Sequence, residues 1–323
     1  MLIAPDGIGA DGGVCTTIRL AVTRLGDGPL CHRRTQPTRP VSPMRELERE
    51  SDLLDLTRMR CATVGAGRLG RALTVALHDA DVPVEGPFGR GADGGDAEIV
   101  LLCVPDSEIA AAARAIPPRA GRLVGHCSGA TTLAPLAPHE AFSLHPLMTV
   151  PDSGAVALGL LGAGAGASPS PFPGASAAIA GTTDRALAVA RSLATALAMT
   201  PFAVADDDRA AYHAAASIAS NFLVTLEAAA ERLAASAGVE RAALVPLVRG
   251  TLENWAALGP DQALTGPVAR GDEETVARQR AAVQARAPEL VGLFDTLADA
   301  TRALARGPQE AIAVGRGVTE EER

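Results

Sequence analysis

The chain has 323 residues and a formal net charge of -8, with 47% of its residues hydrophobic and 20% charged. Those totals suit a globular protein of two domains and exclude a disordered chain. No dense arginine cluster is present, which argues against a nucleic-acid partner, whose phosphates need a basic face. No lysine occurs anywhere, so Schiff-base chemistry and a lysine general acid are excluded. The five cysteines form no Cys-x-x-Cys pair, leaving neither a zinc nor a thioredoxin motif. Their odd number and the lack of a secretory signal fit the cytoplasm. No membrane span is expected, because the long uncharged stretch after residue 153 is broken by glycines and prolines.

Taken in chain order, residues 1–58 are rich in Gly, Pro and Arg without sustained periodicity, and read as a disordered extension holding at most one short charged helix over 45–56. Met59, just before the first regular strand, is a candidate translation start. Residues 59–206 then alternate. Strands are predicted over 61–64, 82–85, 99–104, 123–127 and 142–145, with helices over 68–80 and 107–116. A flexible insertion over 153–175 follows, then a strand over 177–180, a helix over 184–199 and a strand over 202–205. This alternation predicts an α/β fold with a doubly wound sheet. From Asp207 the strand signal stops. Helices are predicted over 208–237, 240–258 and 272–306, giving an all-helical C-terminal domain over 207–316 and a frayed tail.

The sharpest motif is Gly65-Ala66-Gly67-Arg68-Leu69-Gly70, between the first strand and the first helix. That context is the one a dinucleotide fingerprint requires. Gly65 permits the tight turn, Gly67 lets backbone approach a pyrophosphate, and Gly70 lets helix and strand pack closely. The free N–H groups of the helix start then face the phosphates. Cofactor choice depends on the end of the second strand. Glu85 can bind the ribose hydroxyls of NAD, while Arg90, in a glycine-rich loop, can clamp the extra phosphate of NADP; the reading favours Arg90 and NADP. Val104-Pro105-Asp106 ends the third strand at the ligand-binding edge, where Asp106 serves as a helix N-cap or a cofactor contact.

Catalytic candidates sit at the next strand ends. Ser128 follows His126-Cys127 and is either a donor to substrate or a turn cap, and His126 reads as structural. His145 precedes Pro146 and is expected at the crevice, either as a substrate or cofactor contact or as a satisfied structural histidine. His213, Ser217 and Asn221, four residues apart, form a polar stripe on an apolar helix, which must be paired or line a ligand site. Without lysine, histidine is the natural proton donor for a carbonyl reduced by hydride. Arg270, in Leu264-Thr265-Gly266-Pro267-Val268-Ala269-Arg270-Gly271-Asp272, can grip a substrate carboxylate or pair with Asp272 or Glu273.

These motifs, with Gly86-Pro87-Phe88-Gly89-Arg90-Gly91 and Ser220-Asn221, resemble Rossmann-like proteins with a helical C-terminal domain of unknown function. Those are relatives of ketopantoate reductase, pyrroline-5-carboxylate reductase and 6-phosphogluconate dehydrogenase. The resemblance implies an NADP-dependent oxidoreductase acting on a small carboxylate-bearing substrate, with ketopantoate the leading guess, and a homodimer packed through the helical domains. Ketopantoate reductases use a lysine that this chain lacks, so their mechanism does not carry over. In order and placement, Ser128, His145 and His213 also resemble the serine and two histidines of prephenate dehydrogenases. A non-catalytic NADP-binding sensor is the reading from another class.

Overall fold

The computed structural model describes residues 53–150 and 170–307. Seven strands form one sheet in the order β2-β1-β3-β4-β5-β6-β7. They are β1 (Cys61–Val64), β2 (Val84–Phe88), β3 (Ile99–Leu102), β4 (Leu123–His126), β5 (Glu140–Leu147), β6 (Ser176–Gly181) and β7 (Thr200–Ala203). Strands β1 to β5 are parallel, so their carboxyl ends share one edge. β1, β3 and β4 are buried throughout, and the unbroken apolar run of β3 is what a strand covered on both faces requires. One side packs on α1 (Arg68–Asp79) and α3 (Asp184–Ala196), with Leu73, Leu77, Val189 and Leu193 against Ile99, Leu101 and Phe142. The other packs on α2 (Ile109–Ala115), with Ile109 and Ala113 against Val64, Val100 and Leu102.

Because β1 leads left to β2 and the chain then returns across it to β3, the direction of winding reverses between β1 and β3. A crevice forms at such a switch point, outside the carboxyl ends. β6 runs antiparallel to β5 and carries β7 parallel to itself, at the far edge of the doubly wound sheet that the alternation predicts. The sequence shows no helix between β5 and β6, and a parallel return is usually made through one.

Several boundaries move. β2 covers Val84–Phe88 rather than 82–85; it is an edge strand, where Pro87 needs no ladder partner. β3 stops at Leu102, and β5 is longer than expected. Asp106 begins a 3-10 turn, Asp106–Glu108, whose cap position is Pro105 and which has no side-chain cap bond, so the N-cap reading of Asp106 fails. The expected extension is packed at its end: Leu56 is buried in the core and the Leu54 N–H donates to Ser192 Oγ at 2.8 Å. Phe172, assigned by sequence to the insertion, is fully buried. The flexible part of that insertion over 153–169, the charged helix over 45–52 and the tail beyond 307 lie outside the described residues.

The C-terminal half contains α4 (Arg209–Ser217), a π-helical turn (Ile218–Phe222), α5 (Leu223–Ala235), α6 (Arg241–Leu258), a short turn (Pro260–Ala263), α7 (Glu273–Arg286) and α8 (Val291–Arg306). The single helix expected over 272–306 is split at Ala287. Proline at 288 disfavours helical geometry in the residue before it, and Ala287 adopts φ -152°, ψ 67°. No residue of α5 or α6 is buried, and Val224, Leu247 and Trp255 stand 68%, 68% and 58% exposed. If Phe172 closes the core as placed, Phe172→Ala lowers stability by about 3–5 kcal/mol. A denaturant midpoint shifted by less than one-third of that would place the segment outside the core.

Candidate functional site

The glycine turn is tightly packed at its two outer glycines and open at the middle one. Gly65 adopts φ 115° against the Cys103 carbonyl, a place no side chain can take. A Cβ on Gly70 would collide with the Gly65 carbonyl, so that glycine sets how closely α1 approaches the strand ends. A Cβ on Gly67 would meet nothing within 4 Å. The backbone there is bare and open, as close approach by a phosphate requires. Ala66, Gly67 and Arg68 are exposed at the helix start, and Leu69 is part-buried against the core. Val104 lines the same turn, with a methyl 3.2 Å from a Cβ placed on Gly65. Pro105 and Asp106 follow in the exposed loop.

β2 ends at Phe88, so Glu85 lies within the strand and Arg90 just beyond its end. Arg90 Nη1 pairs with Glu108 Oε1 at 2.8 Å.

A second cluster lies at the ends of β4 and β5. His145 Nδ1 and the hydroxyl of Tyr212 are 2.7 Å apart. The His145 and His213 rings approach edge to face, 6.0 Å between centroids. Gly129 fits between them: a Cβ there would lie 2.8 Å from His145 Cε1 and 2.8 Å from His213 Cδ2. Burial first, then the neighbouring His213, press the His145 pKa down to about 4, with Asp106 pulling upward and Arg209 adding a smaller downward push. His145 is thus a neutral imidazole at pH 7, unlike the near-neutral titrating group expected from its type alone. Burial pushes the Tyr212 phenol up to about 12, so it keeps its proton.

What holds this cluster is Arg209. Its guanidinium is 2% exposed and donates to Asp206 Oδ1 at 2.8 Å and to Ser143 Oγ. Ser143 and His145 alternate onto the same face of β5. Arg209, Tyr212 and His213 fall three and four residues apart on α4, hence on one helix face. Sequence reading missed both Arg209 and Tyr212. The signal was available: Tyr212 is the chain's only tyrosine, and Arg209 shares the periodicity of His213.

Other candidates are placed elsewhere or are already committed. Ser128 Oγ accepts from the N–H groups of Ala130 and Thr131 at 3.2 and 2.9 Å and donates to Thr131 Oγ1 at 2.9 Å; it caps the turn. His126 is fully buried, its Nδ1 accepting from the Ser128 N–H and its Nε2 facing the Thr132 carbonyl, and burial depresses its pKa to about 4. Asn221 is exposed within the π turn. That turn inserts a residue into the helical register, so the i, i+4 stripe from His213 does not reach Asn221 in line. Arg270 is exposed and forms no ion pair among the described residues, while Asp272 caps α7 through Thr275 instead. A cavity of about 640 Å³ beside His139 and Thr182 is mostly apolar, and its histidine is bonded to the Ala113 carbonyl.

Residues 175–301 match a family described as a domain of unknown function, DUF2520. No curated protein matches the chain. Among solved structures, the chain is similar to a candidate NADP oxidoreductase from Bacteroides fragilis, at 19% identity and TM-score 0.65, over 77% of this chain and 100% of that one. It is similar to a protein from Thermotoga maritima at 22% identity and TM-score 0.59, over 77% and 99%. A reductive aminase from Aspergillus terreus, in complex with NADPH and ethyl levulinate, matches at 15% identity and TM-score 0.54, over 77% and 94%. These likenesses establish the Rossmann-type fold followed by a helical domain.

The two inner glycines separate packing from binding. Gly67→Ala is expected to leave the thermal midpoint within about 2 °C and weaken NADPH binding at least tenfold, since open space becomes a methyl group at the phosphate. Gly70→Ala is expected to destabilise the fold by about 1–3 kcal/mol through overpacking. Unchanged NADPH affinity in Gly67→Ala would remove the turn from the binding site.

Proposed function

We propose that this chain is an NADPH-dependent oxidoreductase that reduces a small carboxylate-bearing carbonyl compound, with a ketopantoate-like acid the leading substrate class. The observation that carries the reading is the open glycine cradle at the switch point together with the His145–Tyr212–His213 cluster at the neighbouring strand ends. The residues fit a dinucleotide and would hold it as follows: Gly65 and Gly70 shape the turn, Gly67 leaves room for a pyrophosphate, and Arg90 would meet a 2′-phosphate. The fold matches a candidate NADP oxidoreductase and a reductive aminase in complex with NADPH. When bound, NADPH supplies a hydride.

The chain's own groups handle the proton. Tyr212, which keeps its hydrogen, donates to His145 Nδ1, and the single ring proton of neutral His145 then lies on Nε2. Nε2–H gives its proton to the substrate oxygen as alkoxide character develops, Nδ1 takes the phenol proton of Tyr212, and solvent water returns a proton to that half-buried phenolate. His213 closes the other side of Gly129. Arg270 holds the substrate carboxylate and Asn221 orients the carbonyl only if a partner or a movement brings them in, because neither contacts the cluster.

A homodimer supplies such a partner. Val224 on α5, Leu247, Trp255 and Leu258 on α6, and Phe222 in the π turn before α5 are each at least half exposed, and apolar side chains left open on neighbouring helices suit a docking surface. No helix among the described residues is long and apolar enough to cross a membrane.

With an active keto acid in hand, His145→Gln is expected to lower kcat by about 10²- to 10⁴-fold and Tyr212→Phe by about tenfold, both with NADPH affinity unchanged. Because His145 stays neutral above pH 5, kcat/KM shows no break from this residue between pH 5 and 8. Full turnover by His145→Gln would take the histidine out of the chemistry. NADPH binding with no turnover of any carbonyl acid would favour the sensor reading.

A further inference from the structure

The Arg90–Glu108 pair ties together two loops that are far apart in sequence. Arg90 lies in the Gly89–Gly91 loop after β2, and Glu108 ends the 3-10 turn after β3. β1 runs between those strands in the sheet, so the pair passes over the carboxyl end of β1, where the glycine turn starts. The Arg90 side chain is 71% exposed and the Glu108 side chain 34%. Glu108 is therefore the better anchored partner, and the arginine comes to it. The ion pair is made through Nη1, 2.8 Å from Glu108 Oε1, and a guanidinium carries five N–H donors.

We propose that Glu108 is a specificity-determining residue which competes with the 2′-phosphate of NADPH for Arg90 and so sets the preference between the two nicotinamide nucleotides. The inference rests on the cofactor reading above. A 2′-phosphate is a dianion that seeks the Arg90 fork. With Glu108 in place it meets a carboxylate within a few ångströms of the same guanidinium, and like charges at that range disfavour each other. NADH brings a neutral 2′-hydroxyl instead, and a carboxylate accepts a hydrogen bond from it. One residue thus penalises the phosphate and tolerates the hydroxyl, while Arg90 does the reverse. The pair places both tendencies at one point and leaves the chain able to use either nucleotide, with Glu108 holding down the margin for NADPH.

The test is a fluorescence titration of the full-length protein with NADPH and NADH, for wild type, Glu108→Gln, Arg90→Ala and the double variant. Glutamine keeps the shape and removes the charge at a surface position, so folding is not at stake. Glu108→Gln is expected to tighten NADPH by about three- to tenfold and to change NADH by less than twofold. The gain is expected to vanish in the Arg90→Ala background and to shrink with added salt. An unchanged NADPH to NADH ratio in Glu108→Gln, or the same gain without Arg90, would overturn the inference while leaving the cofactor reading intact. Absence of binding by wild type to either nucleotide would overturn both.

Discussion

A guanidinium buried to 2% exposure joins the sheet to the helical half of this chain. An ion so placed is tolerated only when its partners are fixed, since an unpaired charge in the interior costs several kcal/mol. Arg209 has two, Asp206 one turn before it and Ser143 on β5. Together they set where α4 lies along the sheet and which side it turns inward. Tyr212 and His213 follow on that inward side and reach His145, two residues beyond Ser143. The position of the catalytic candidates is a consequence of this one anchor, and the glycine at 129 leaves the room they meet in.

The second constraint is the crowding at the switch point. Gly65 and Gly70 have no space for a side chain, and the atoms that deny it belong to Cys103, Val104 and the turn itself. Gly67, between them, has open space where a Cβ would stand. Tight packing on both sides of an open backbone segment presents N–H groups without side chains in the way. The cofactor cradle and the histidine cluster stand at ends of adjacent parallel strands, β1, β3, β4 and β5, and that adjacency makes the two halves of the proposed reaction compatible.

The glycine turn, the alternation of strands and helices and the change to an all-helical half were legible because each depends on short-range spacing. The reach of β2 was not, because Pro87 looks like a strand end and is one only away from a sheet edge. β2 is an edge strand, so it continues to Phe88. Phe172 was hidden by its glycine- and proline-rich neighbours; composition averaged over a stretch cannot show one ring entering the core. Asn221 was grouped with His213 by helical spacing, and the π turn at Ile218–Phe222 breaks that register. Arg209 and Tyr212 went unread because their partners, Ser143 and His145, are separated from them by more than sixty residues.

A crystal structure of the protein with NADPH bound tests the central claim most directly. The account predicts the pyrophosphate on the Gly65–Gly70 backbone, the 2′-phosphate against Arg90, and the nicotinamide at the ends of β3 and β4 with its reactive carbon facing the space beside His145. A nucleotide bound elsewhere, or a nicotinamide turned away from His145 and Tyr212, would contradict it.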